Sequence, residues 1–282
     1  MLTRGKPDAG TAAAPEALGE GTPCALDPRA LYRLITWLSP AYPIGAFSYS
    51  GGIEWSVEAG DIRDAATLQS WLTVMIADGG GYCDGVFFAH AYRAAAHGDD
   101  TALRAVAELA AAFAPSKERH LETMAQGRAF LDTTRAAWSS RALDRLAALA
   151  DGAVALPVAV GVACAGHGIA LPPAIHCYVH ALAANLISAG VRLIPLGQSD
   201  GQRVLAALEP VVAETAERAL VTALDDVEAR RCARTLPACI MRSSTRGCSG
   251  HDQSTWSAAG GGGWPGRLGQ DGAHGCVVQG AA

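Results

Sequence analysis

Lysine is nearly missing. Lys6 and Lys117 are the two in 282 residues, and no basic block occurs. With Lys plus Arg at 22, Asp plus Glu at 27 and a net charge of −5, nothing draws the chain to nucleic acid or to an anionic membrane. Charged residues are scarce at 17% while hydrophobic ones reach 50%, which excludes wholesale disorder and permits a large core. C-x-x-C is absent, and the eight cysteines form no compact framework. They read as reduced thiols of a cytoplasmic protein. Residues 1–28 are rich in Ala, Gly and Pro and have no apolar core segment, so they read as a disordered lead-in, not a signal peptide.

Catalytic motifs are absent too. There is no G-x-x-x-x-G-K-[ST] loop, no G-x-G-x-x-G after a strand, no H-E-x-x-H and no G-x-S-x-G, hence no recognisable phosphate cradle, zinc helix or nucleophile elbow. The chain reads as a binding or assembly protein and not as an enzyme.

Gly152 to Val191 holds no Asp, Glu, Lys or Arg, which invites a membrane reading. Pro157, Pro172 and Pro173 interrupt the stretch, and its apolar residues are largely Ala, Gly and Val, which insert weakly. Two buried helices parted at Gly168–Pro173 fit better than a span.

Strand signals are nearly absent, so helical spacing predicts an all-α, single-domain bundle of roughly eight to ten helices over 29–225. Leu31, Leu34, Ile35 and Leu38 form the expected inner face of a first helix that stops at Ser39-Pro40. A helix over 50–59 follows, capped by Ser48 or Ser50. Asp64 caps the next, Gly79-Gly80-Gly81 interrupts, and the helical pattern resumes over 84–97. Asp99 or Asp100 and then Ser116 open two more. Another follows over 141–150, and 198–224 reads as one amphipathic helix. Residues 226–282 change character: eleven glycines lie within 247–282 with no apolar periodicity, as expected of a disordered tail.

Three polar features stand out. The loop from Ser39 to Glu54 gathers Pro, Gly, Ser and aromatic residues before a helix, and reads as a buried connector or a presenting surface. Arg119, Glu122 and Gln126 share one face of a helix, by default a solvated one. Asn185, Ser188 and Arg192 share a face of an otherwise apolar helix, as an internal network or as a subunit-facing stripe. Gly45 and Gly197 read as backbone devices. His176 and His180 stand at i, i+4 beside Cys177, a spacing able to chelate nickel or zinc. Such residues on apolar helices are more often packed, so they are weak candidates and no metal site is assigned.

Three segments resemble motifs of the urease accessory protein UreF family: Ser39-Pro40-Ala41-Tyr42-Pro43-Ile44-Gly45-Ala46-Phe47-Ser48-Tyr49-Ser50 with Glu54; Arg119 with Glu122 and Gln126-Gly127; and Ala184 through Gln198. They occur in order across residues 30–225. The resemblance implies an all-helical, usually homodimeric, cytoplasmic chaperone of metallocentre assembly with no catalysis of its own. Its implied partners are UreD (UreH), the P-loop GTPase UreG and the urease apoenzyme, into which nickel is inserted with GTP hydrolysis. Nickel would be handled transiently, with no cofactor bound stably. The implied partner-binding surface or its support is Tyr42, Pro43, Phe47, Ser48, Tyr49, Ser50, Glu54, Arg119, Glu122, Gln126, Asn185, Arg192 and Gln198. The alternative is a metallochaperone that binds nickel through His176 and His180.

The chain departs from the resemblance at its end. Relatives close with a segment like His-Glu-x-Gln-Tyr-Thr-Arg-Leu-Phe-Arg-Ser, which in the family belongs to the partner-contacting apparatus. Here Pro237 to Asp252 reads otherwise. Yet a permitted set of codons for that stretch, read one nucleotide earlier, spells Ser-Met-His-His-Glu-Ile-Gln-Tyr-Thr-Arg-Leu-Phe-Arg-Ser-stop. This points to a frameshift around Asp226–Thr235, with everything after it out of frame. We expect the gene's nucleotide sequence to contain that reading in the shifted frame. A gene that cannot encode it there disproves the frameshift.

Overall fold

A computed structural model describes residues 27–114, 116–150 and 153–227, all within one unit, residues 1–235. The expected lead-in before residue 27 and the expected tail beyond 227 lie outside the described residues. Among the described residues there are eleven α-helices, one 3-10 turn and no strand, so the fold is all-α. The order is α1 (Pro28–Trp37), the 3-10 turn (Ala46–Ser48), α2 (Ile53–Glu58), α3 (Ala65–Ala77), α4 (Gly80–His97), α5 (Asp100–Ala112) and α6 (Lys117–Ala137). Then come α7 (Arg141–Leu149), α8 (Leu156–Gly166), α9 (Leu171–Leu193), α10 (Gln198–Ala207) and α11 (Glu209–Val221).

The helix count exceeds the expected range because 198–224 is two helices. Pro210 has no N–H to continue the ladder, and α11 restarts at Glu209 with that proline in its first turn. Several starts follow side-chain capping. Asp64, Asp99, Ser116 and Ser140 each accept a backbone N–H two or three residues into their helix.

Three local expectations are corrected. The first helix buries Ala30, Leu34 and Trp37, whereas Leu31 and Ile35 are 46% and 65% exposed. Trp37 wins the inward face because it is the larger group to remove from water. The three glycines at 79–81 do not interrupt a helix but start α4 against the end of α3. A Cβ on Gly81 would lie 2.9 Å from Ile76 Cα. Neither Ser48 nor Ser50 caps α2. Its N-cap is Gly52, with φ 98°, and no side chain bonds there.

The centre is α4, α8 and α9. The uncharged stretch forms α8 and α9, parted where expected at 167–170. Every residue of α8 from Pro157 to Cys164 is buried. It crosses α4 so closely that a Cβ on Gly161 would lie 2.6 Å from the Phe88 carbonyl oxygen. Around them α9 packs on α2, α3, α4, α8, α10 and α11. It is one helix long and apolar enough to cross a membrane, yet it is half buried inside the bundle and ends in Arg192.

The tightest approach is where α6 meets the entry to α8. A Cβ on Gly127 would lie 2.0 Å from the Val154 carbonyl oxygen and 2.8 Å from Leu156 N. Backbone cannot yield as a flexible side-chain tip can. We therefore expect Gly127→Ala to destabilise the chain by about 3 kcal/mol or more, lowering the melting temperature by about 10 °C in circular dichroism. An unchanged melt would show that the two segments separate easily.

Candidate functional site

The loop between α1 and α2 has little regular structure, and two outside anchors hold it. On its inner side Tyr42 is 7% exposed, and its hydroxyl meets Thr134 Oγ1 on α6 at 2.8 Å. The Tyr42 ring packs on Phe130 at 5.4 Å. Phe130 in turn stands edge-on to Trp37, which also meets Trp138 and His167. On its outer side, α9 reaches the 3-10 turn. Arg192 Nη2 donates to the Phe47 carbonyl at 3.0 Å, its guanidinium lies 3.9 Å above the Phe47 ring, and Asn185 Nδ2 donates to Ala46 O at 3.4 Å. Ser188 Oγ accepts from Arg192 Nη1 at 3.1 Å and so aims it. The turn is entered through Gly45, with φ 71°, a left-handed conformation that other residues resist. Gly197 has an ordinary φ of −75° and caps α10 instead, its N–H donating to Asp200 Oδ2 at 3.2 Å.

Behind the loop lies a cavity of about 80 Å³, lined by loop residues including Ile44, Ala46 and Tyr49, and by Asp84, Arg119, Glu122, Gln126, Tyr178 and Asn185. The stripe on α6 therefore faces inward, not into solvent as the default reading had it. Arg119 pairs with Glu122 at 2.7 Å, with their side chains 23% and 12% exposed, and Gln126 donates to Glu122 at 3.3 Å. Asp84, from α4, accepts the Tyr178 hydroxyl at 3.3 Å and interacts with Arg119. Two carboxylates thus share one guanidinium.

Burial pushes the Asp84 carboxyl up to about 6, although Arg119 and the Tyr178 hydroxyl pull the other way; Glu122 adds to the rise. Burial also raises the Tyr178 hydroxyl well above its ordinary range, helped by Asp84. For Arg119, burial works against the charge, but Asp84 and Glu122 outweigh it and raise the pKa.

The chain was compared with known proteins. The UreF family model matches residues 62–209. Urease accessory protein UreF of Rhodopseudomonas palustris strain BisA53 is 62% identical over 198 residues, covering 70% of this chain and 83% of that protein. The protein of the same description from Bradyrhizobium diazoefficiens strain USDA 110 is 56% identical over 212 residues, covering 75% and 88%. The chain belongs to the UreF family. It is a urease accessory protein, involved in urease maturation.

The three UreF-like motifs, far apart in sequence, meet at this one place. Phe47 is 65% exposed, and Pro43, Ser48, Glu54, Arg192 and Gln198 also face solvent. Tyr49, Ser50, Arg119, Glu122 and Asn185 are partly buried, and Tyr42 and Gln126 are fully so. The exposed set can meet a partner; the buried set holds the loop and cavity. Asp84, Thr134 and Tyr178 belong to the arrangement and were missed. Asp84 had been read only as the place where a helix resumes, although a lone carboxylate just before Val86-Phe87-Phe88-Ala89 was the available signal. His176 and His180 are exposed on α9, and no group of three or more His, Cys, Asp or Glu able to hold a metal occurs among the described residues.

Asp84 makes a testable contribution to stability. Its folded pKa lies above its unfolded value of 3.8. The native state therefore binds more protons between pH 4 and 6, and stability falls as pH rises through that window. Asn mimics the neutral acid, so Asp84→Asn should be the more stable form at pH 7.5 by about 2 kcal/mol, with the advantage vanishing near pH 4. Urea unfolding of both forms across that range measures it. A variant that is weaker at pH 7.5 would show that Arg119 fully compensates the charge.

Proposed function

We propose that this chain works as a non-catalytic adaptor in urease maturation. It joins a UreD/UreH-type protein to a UreG-type GTPase on the urease apoenzyme, in the cytoplasm, so that GTP hydrolysis accompanies nickel insertion. It acts as a homodimer, holds no cofactor stably and handles nickel only transiently.

One observation carries this reading: the loop is pinned from both sides yet leaves Phe47 65% exposed beside Arg192. An aromatic side chain on a pinned loop loses little freedom on docking, so more of its burial is realised as affinity, and aromatic residues and arginine are enriched among the residues that dominate interfaces. The polar groups nearest the loop are engaged with one another, Arg119 with Glu122 and Asp84 with Tyr178, which suits holding better than turnover. The C-terminal segment is part of the same partner-contacting apparatus, so a frame-shifted tail would fold with the domain yet recruit partners poorly.

In a strain lacking the native gene, we expect the frame-restored chain to activate urease better than the chain ending as printed here, and to co-purify with tagged UreD-like and UreG-like proteins. Arg192→Ala should lower that co-purification by about tenfold or more, since it releases the turn. Equal activation by both tails would remove the role assigned to the C-terminal segment. Undiminished capture by Arg192→Ala would remove that assigned to the loop.

A further inference from the structure

An α-helix leaves its last carbonyls without partners, and a left-handed glycine commonly closes them. The end of α11 has no such glycine. Its C-cap is Thr222, in extended conformation with φ −76° and ψ 132°. Its carbonyls are satisfied largely from another helix. Arg93 Nη2 donates to Leu220 O at 2.5 Å and His90 Nε2 meets Thr222 O at 2.9 Å, while Thr222 Oγ1 donates to Arg218 O at 2.8 Å. That leaves the Tyr82 hydroxyl as donor to Thr222 Oγ1, at 2.7 Å. Arg218 lies 4.8 Å above the Tyr82 ring. Tyr82, His90 and Arg93 all belong to α4.

We propose that His90 and Arg93 are positioning residues, which fix from α4 the direction in which the chain leaves α11. Val227, just beyond, is 1% exposed, so the chain runs from this clamp back onto the body before continuing. A carbonyl oxygen only accepts, so Nε2 of His90 carries the hydrogen in the neutral and the protonated ring alike. The clamp therefore holds on either side of the ring's titration. The same α4 supplies Asp84 to the cavity, six residues or about 9 Å along the axis from His90. One stiff helix thereby keeps the loop site and the root of the C-terminal segment in fixed relation. Its importance for partner recruitment presupposes the adaptor reading above.

Two measurements test this. In hydrogen exchange on the full chain, the double variant His90→Leu with Arg93→Met should speed exchange of amides 219–227 by about tenfold or more, leaving α8 and α9 unchanged. His90→Gln, which keeps a donor at similar reach, should stay near wild type. In the frame-restored chain, the double variant should lower urease activation several-fold with its melting temperature within a few degrees of wild type, and His90→Gln should recover most of it. If the double variant does not fold, each single variant carries the same readouts. Unchanged exchange overturns the clamp. Faster exchange with full activation overturns its positioning role. If the unmutated frame-restored chain fails to activate urease, the adaptor reading fails instead, and exchange still decides the clamp.

Discussion

The loop that carries the family's opening motif has almost no ladder of its own, so its shape is imposed by two side chains from elsewhere. Tyr42 ties it inward to Thr134, and Arg192 ties it outward through the Phe47 carbonyl and ring. Each anchor alone is modest. A hydrogen bond contributes about 1 kcal/mol net, and an exposed cation–π contact about 0.5–1 kcal/mol. Their force lies in position: they sit on opposite sides of the loop, on helices that are themselves packed in the bundle. Remove either and the loop keeps one attachment, which leaves a hinge where there was a fixed surface.

The ground beneath the loop is costly. Asp84 is held where its ionised form is disfavoured, and Arg119 is asked to compensate two carboxylates. Apolar groups of similar volume would give a more stable interior. Natural chains break the rule of apolar cores mainly where a function demands it. The stripe on α6 cannot turn away into solvent either, because Gly127 on the same helix is pressed against the backbone at Val154. The close crossing thus fixes which face of α6 looks into the cavity. The buried charges follow from a packing constraint as much as from their own attraction.

Much of the fold was legible in the chain, for definable reasons. Caps at Asp64, Asp99 and Ser116 are local signals, read within one turn, and the break between α8 and α9 was announced by glycine and proline. Local signals failed where two patterns overlapped. On α1 the spacing of Leu31, Leu34, Ile35 and Leu38 was a valid stripe, but Trp37 offered a better one a third of a turn away. Gly79–Gly81 looked like a breaker because glycine does weaken helices; that α3 crowds this spot is a tertiary fact. The site was legible as three motifs but not as one place. Nothing in spacing shows that Arg192 reaches Phe47 across 145 positions, or that Asp84 faces Arg119. Such pairings exist only once the helices are packed.

The helix least conspicuous in the sequence links these facts. At its start α4 lies against α3 through Gly81 and lends Asp84 to the cavity; midway it is crossed by α8 opposite Phe88; further on, His90 and Arg93 close the end of α11. A helix with glycine at 80, 81 and 85 has poor intrinsic propensity, so tertiary contact must hold it. Those same missing side chains let α3 and α11 approach, as the 3.0 Å between a Cβ at Gly85 and Ala219 Cβ shows. A weak helix former at the centre is therefore what lets one straight element touch the loop cavity and the chain's exit at once. A stronger former with ordinary side chains at those three positions would hold its neighbours apart.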